Sequence, residues 1–261
     1  MEEQGKKILR VDNLELTTED LKKQIQELGI NKGDVLCVHS ELFKLGKPLL
    51  HKESFLKEIV ILLQELVGKE GTLIMPTFSY SFCKNELFDL KVSSSTVGIL
   101  TEYFRTMENV KRTKHPIFSF AVWGKKQEEY LDIGPDAFSL DSVYGKMIYD
   151  DGKILMLGAN KGYTFYYLAE EHMNVSHRYF KIFDGQVKDE LGQVYDTKVP
   201  YFVRDLSIKS DVDEEKLARF LLDNGYQKQK DFAKGMIGVF ECKKVYSALN
   251  KELRKDNKIF L

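Results

Sequence analysis

Residues 33–76 read GDVLCVHSELFKLGKPLLHKESFLKEIVILLQELVGKEGTLIMP. Val35 to Val38 are apolar without alternation, the pattern of a short strand buried on both faces. Ser54 is placed to cap a helix in which Phe55, Ile59, Leu62, Leu63 and Leu66 form one stripe, stopped by Gly68. Thr72 to Pro76 repeats the buried-strand pattern. Strand, loop, helix, strand predicts a parallel pair joined by a helical crossover, and so an α/β sheet.

Working outward, Thr17 and Thr18 precede Glu19 and Asp20, and Leu21, Ile25 and Leu28 follow at helical spacing before Gly29. That is a capped amphipathic helix with a glycine stop. Ser93 to Thr96 precede a helix expected over Val97–Met107, and residues 117–123 and 153–157 read as further central strands. Beyond Gly158 a short turn leads into a helix expected from Tyr163 to Met173. From Arg178 onward RYFKIF, QVYDTKVPYFVR and MIGVF predict antiparallel strands, with helices near 213–224 and 243–255. The expected architecture is α/β: a mixed central sheet flanked by helices, with an antiparallel C-terminal annex, in one domain over 1–261. A two-lobed description also fits.

The 261 residues are 43% hydrophobic and 30% charged, enough for a sizeable core on a well-solvated chain. Lys and Arg total 39 against 40 Asp and Glu, which argues against a nucleic-acid binder. Cys37, Cys83 and Cys242 are odd in number and lack metal-site spacing, as suits a reducing compartment. The N-terminal MEEQGKKILR has no secretory apolar stretch, and no segment has the length of a membrane span. A cytoplasmic enzyme, monomer or homodimer, without membrane or nucleic-acid partners, is the expectation.

Ligands of open α/β sheets bind beyond the carboxyl ends of parallel strands. Three such ends carry candidates: His39-Ser40-Glu41 with Lys44 and Gly46; Arg112 and His115 ahead of the strand near 120; and Tyr167, Glu170, Glu171 and His172 after Gly158. Tyr167 and Glu170 share a helix face. Glu171 reads more simply as a solvated face, and Cys37, although on the side of His39, as core. No P-loop, dinucleotide fingerprint, HExxH or GxSxG is present, and His172 and His177 are poorly spaced for chelation.

With those segments in view, the chain resembles the aminoglycoside 3-N-acetyltransferase (antibiotic N-acetyltransferase) family along nearly its whole length. The similar segments are Gly33-DVLCVHSELFKLG, Gly71-TLIMPTFS, Val97-GILTEYFR, Lys111-RTKHPIFSFAVWG, Asp141-SVYGK and Ile154-LMLGANKGYTFYYLAEEHMNVSHRYFK. The resemblance implies acetyl-CoA as donor, no metal, and a sugar amine as acceptor. It also implies that the coenzyme lies across Ser40, Lys44, Gly46, Ser95, Thr96, Val97, Gly98, Arg112 and Ser119. Two departures stand out. The family's T-x-x-H-x-x-E appears here with Tyr167 in the histidine place and Glu170 retained, and the paired serines of the opening loop become Ser40-Glu41.

Attack by an amine on a thioester needs an unprotonated amine, donors for the oxyanion and a proton for the leaving thiolate. A tyrosine is a poor base near neutrality. The expected catalytic set is therefore Glu170 and His39 sharing the proton work, His115 as a substitute histidine, and Tyr167 as a hydrogen-bond donor. The expected acceptor is a nucleotide-linked amino sugar for surface polysaccharide synthesis, its diphosphate met by lysines. An aminoglycoside antibiotic is the alternative, and an inactive CoA-binding relative the second.

Overall fold

The computed structural model describes residues 5–261; the first four residues, part of the N-terminal stretch read above for a leader, lie outside the described residues. The chain opens with a hairpin the sequence patterns did not announce, β1 (Lys7–Val11) and β2 (Leu14–Thr17). Helix α1 (Thr18–Glu27) starts at a capping box. Thr17 Oγ1 accepts from the Asp20 N–H, and the Asp20 carboxylate accepts from the Thr17 N–H at 2.7 Å. Strand β3 (Val35–Ser40) follows, then the short β4 (Lys47–Pro48), α2 (Lys52–Val67) and β5 (Thr72–Pro76). Helix α2 begins two residues before Ser54, which falls in its first turn and does not cap it.

Next come β6 (Phe88–Asp89), α3 (Ile99–Arg105), β7 (Lys111–Arg112) and β8 (Phe120–Gly124). Strand β8 starts three residues later than its apolar run. The reason is His115, whose Nδ1 accepts from the N–H groups of Ile117 and Phe118 and bends that segment into a turn. The rest of the chain runs α4 (Gln127–Leu131), α5 (Val143–Tyr149), β9 (Lys153–Leu157), α6 (Tyr166–His172), β10 (Arg178–Lys188), β11 (Val194–Arg204), α7 (Glu214–Asp223), β12 (Gln227–Phe232), β13 (Gly235–Glu241) and α8 (Cys242–Lys255). Helix α5 is capped by Ser142, whose hydroxyl accepts from Gly145 N at 3.2 Å.

Seven strands form the central sheet in the order β12-β13-β9-β3-β5-β8-β7. Strand β3 runs parallel to β5 and β9, and the other pairings are antiparallel. The sheet is mixed, as expected, with one correction. The MIGVF segment does not join the annex; it is β13, paired with β9 from Ile237↔Leu157 to Glu241↔Lys153. The annex is the long β10–β11 hairpin, which takes β6 as a third strand.

Strand periodicity divides the core between the two faces of the sheet. Val35, Cys37, Ile154 and Met156 face a layer that includes α5, α6 and α8; Leu36, Val38, Leu155 and Leu157 face the layer of α1, α2 and α3. Each fully buried aliphatic side chain contributes about 1.5–3 kcal/mol. This two-sided burial explains why these strands read as unbroken apolar runs.

Candidate active site

Strand β3 is where the chain changes direction across the sheet, pairing with β5 on one side and β9 on the other. Such a switch point opens a crevice beyond the strand ends. A cavity of about 380 Å³ occupies it. Its walls are His39, Ser40 and Glu41 at the end of β3, Pro76 at the end of β5 and Phe78 beyond it, Thr96 and Val97 ahead of α3, and Gly162 and Thr164 after β9. Gly158 makes the crossing of the loops possible: its φ is +73°, and a Cβ there would stand 2.6 Å from the Glu41 carbonyl oxygen.

A second depression of about 580 Å³ adjoins the first, and Tyr80 and Lys161 line both. Three tyrosines, Tyr80, Tyr167 and Tyr201, line it together with Asp211, Asp213, Glu214 and Glu215, four carboxylates against the two cations Lys161 and Arg204. Arg204 is already ion-paired with Asp211. Helix α7 is held to the cavity loop by the Glu214 carboxylate, which accepts from Gly162 N at 3.1 Å. Asp213 caps the same helix through Lys216 N, at 2.9 Å.

His39 lies at the floor, nearly buried, with Nε2 3.1 Å from the Tyr144 hydroxyl. Burial drives its pKa down to about 4, against a smaller opposing effect of the Gly162 backbone. The same burial holds Tyr144 well above the ordinary phenol range, so this pair is neutral at pH 7. A donating Tyr144 leaves the imidazole proton on Nδ1. His39 thus lines the cavity, with Nε2 engaged by Tyr144 and its basicity lowered by burial.

Glu170 lies apart from both depressions. It is 0% exposed. One oxygen is 2.8 Å from His177 Nε2 and the other 2.6 Å from Arg178 Nε. The carboxylate is enclosed between the His177 imidazole and the Arg178 guanidinium. His115 is buried as well: its Nδ1 serves the turn before β8, and burial lowers its pKa to about 4. Tyr167, in contrast, faces the acidic depression, with Phe138 edge-on at 5.6 Å and the Arg178 guanidinium 4.3 Å from its ring centre. Burial raises its pKa, and the Arg178 charge opposes that.

Of the residues expected to hold the coenzyme, Ser40, Thr96 and Val97 line the cavity. Lys44 stands outside it, bridging Glu41 at 2.5 Å and Asn160 at 3.1 Å. Gly46 packs instead on β1, where a Cβ would meet the Arg10 carbonyl at 3.1 Å. Ser95 is turned to Thr101, 3.1 Å away, and Gly98 accepts from the same hydroxyl at 3.0 Å. Arg112 is consumed internally: Nε donates to Ser119 Oγ at 2.9 Å and Nη2 to Thr77 O at 2.6 Å, which commits Ser119 as well. These two staple loop segments through neutral acceptors, and Arg112 also lines a separate depression with Lys91, Arg105, Lys111 and Lys114. Tyr80, Tyr144, Lys161, Thr164 and the 211–215 carboxylates were not singled out from sequence; the acidic run before α7 was the one local signal available.

Cys37 is fully buried and its thiol pushed far up, which removes a Cys–His nucleophile. Among the described residues no group of three or more His, Cys, Asp or Glu could hold a metal, and no helix is long and apolar enough to cross a membrane.

Residues 37–254 match the family model described as aminoglycoside 3-N-acetyltransferase. The SPbeta prophage-derived aminoglycoside N(3')-acetyltransferase-like protein YokD of Bacillus subtilis (strain 168) is 28% identical over 190 residues, 63% of this chain and 68% of that protein. Aminoglycoside N(3)-acetyltransferase IV of Salmonella sp is 33% identical over 156 residues, 58% of this chain and 57% of the relative. The solved structure of AAC-IIIb with CoASH superposes with a TM-score of 0.80 at 21% identity, covering 92% of this chain and 97% of that one. The fold is therefore the antibiotic N-acetyltransferase fold. The chain belongs to the aminoglycoside 3-N-acetyltransferase family and is an acyltransferase with acetyl-CoA as its donor.

Proposed function

We propose that the protein acetylates an amino group of an aminoglycoside, with the thioester arm of acetyl-CoA in the cavity at the end of β3 and the acceptor in the acidic depression. One observation carries the choice of acceptor. Asp211, Asp213, Glu214 and Glu215 converge on the space that meets the cavity at Tyr80 and Lys161. A polycationic sugar gains from that field, whereas the diphosphate of a nucleotide-linked amino sugar is repelled by it. The expectation of a nucleotide-linked acceptor is accordingly withdrawn. The names of the relatives agree with the antibiotic reading.

In this reading the amine lone pair attacks the thioester carbon where the two spaces join. Tyr167, kept protonated near neutral pH, donates to the oxyanion and the departing sulfur. His39 and Tyr144 hold the floor of the cavity rather than move the proton. Without a histidine at position 167, most of the acceleration comes from bringing thioester and amine together.

A thiol-release assay with acetyl-CoA tests this against a panel of aminoglycosides and nucleotide amino sugars. Faster release with at least one aminoglycoside is the expected result, and the reverse ranking overturns it. CoA binding without release for any amine would instead favour an inactive CoA-binding relative, a reading motivated by Tyr167.

A further inference from the structure

We infer that Arg178 is a positioning residue for acyl transfer: held by Glu170, which His177 holds in turn, its guanidinium fixes Tyr167 as a hydrogen-bond donor in the acidic depression. The inference rests on the function proposed above. Three observations carry it. The Arg178 guanidinium lies over the Tyr167 ring at 4.3 Å, while Phe138 meets that ring edge-on at an interplanar angle of 89°. Glu170 is 2.6 Å from Arg178 Nε, His177 Nε2 is 2.8 Å from the other Glu170 oxygen, and the three side chains are at most 1% exposed. Arg178 Nη1 donates to the Phe202 carbonyl at 3.2 Å, which ties the cluster to β11, whereas Nε meets Glu170 as an ion pair without hydrogen-bond geometry and buried Nη2 has no hydrogen-bond partner.

The cost of this arrangement points to a use. A charged pair withdrawn from water forfeits several kcal/mol of hydration per ion, roughly, and apolar residues of similar volume often serve stability as well or better. A buried cation stacked on a cleft-facing phenol does what an apolar filler cannot. It holds the ring in one orientation and stabilises negative charge as it builds on the phenolic oxygen. As the C–N bond forms and the C–S bond breaks, the electron pair of the C–S bond goes to sulfur, which takes the Tyr167 proton. The proton shed by the newly acylated nitrogen then restores the phenol. Glu170 and His177 act only through Arg178.

The test is a double-mutant cycle on the full chain with Arg178→Lys, Tyr167→Phe and the pair, read as thiol release with acetyl-CoA and an accepted aminoglycoside. Lysine keeps the charge beside Glu170 but loses the planar face, so the fold is retained. The expected result for Arg178→Lys is a fall in kcat of about tenfold with KM for acetyl-CoA changed less than about twofold, against a fall of about a hundredfold for Tyr167→Phe. The double variant should match Tyr167→Phe alone, because the lysine defect acts through a hydroxyl already gone. Losses that multiply, or a KM effect with kcat intact, overturn the inference while wild-type turnover leaves the proposed function standing. A wild-type enzyme that releases no thiol with any amine overturns both.

Discussion

Substituting Glu170 by glutamine separates a structural carboxylate from a general base. The change leaves the Arg178 charge buried without its counterion, and such losses cost about 3–5 kcal/mol. The expected outcome is a lower denaturation midpoint, with residual activity keeping the pH dependence of the wild type; activity lost with stability intact would return Glu170 to the chemistry. The sequence pattern placed Tyr167 and Glu170 on one helix face, and both do meet Arg178. It could not tell that this face is enclosed by the first residue of β10, because that closure depends on a contact outside the helix. Glu171, expected on a solvated face, instead meets Asp136, and burial together with that neighbour pushes its pKa up to about 8. A carboxyl raised in the fold holds a proton the unfolded chain releases, so its contribution is full below about 4.5 and lost as pH rises through about 8. His39 and His115, lowered from 6.5 to about 4, oppose this trend on the acid side. Stability should therefore decline between about pH 6.5 and 8, and Glu171→Gln should flatten that decline in urea titrations.

Helix α7 offers a cleaner separation at the level of elements. Asp213 both caps the helix and contributes charge to the acidic depression. Asparagine keeps the cap, so Asp213→Asn should raise KM for the aminoglycoside with thermal stability nearly unchanged. Asp213→Ala should do the same and lose about 1 kcal/mol as well. Equal KM values for Asp213→Asn and wild type would remove this carboxylate from acceptor binding. Elements with strong periodicity, such as α1, α2 and β3, were legible with their ends within a few residues. Those set by side-chain turns were not: His115 delays β8, and the Ser142 cap of α5 sits in a segment whose apolar residues carry no clear stripe. Strand β13 was legible as a strand but not as a member of the central sheet, since period alone does not say which neighbour an antiparallel strand will choose.

For the molecule as a whole, a formal net charge of -1 conceals a local field, and that field should be visible in salt dependence. Raising ionic strength from about 0.01 M to 0.15 M shortens the screening length from about 30 Å to 8 Å. KM for a polycationic acceptor should rise severalfold across this range, and KM for a monoamine acceptor should change far less; equal responses would argue against steering by the 211–215 carboxylates. The cavity at the end of β3 was readable in part, through Ser40, Thr96 and Val97, because parallel strands deliver their ends to one crevice. The acceptor end was not, because Tyr80, Tyr201 and the start of α7 are brought there by separate loops and by the annex. That division of labour has an engineering consequence. The β10–β11 ribbon contributes Tyr201 and Arg204 to the wall of the acidic depression, yet neither strand pairs with the seven-stranded sheet whose strand ends form the neighbouring cavity. On the proposed reading, exchange of ribbon side chains that face the acidic depression offers a route to alter which amines are accepted while the central sheet stays as it is.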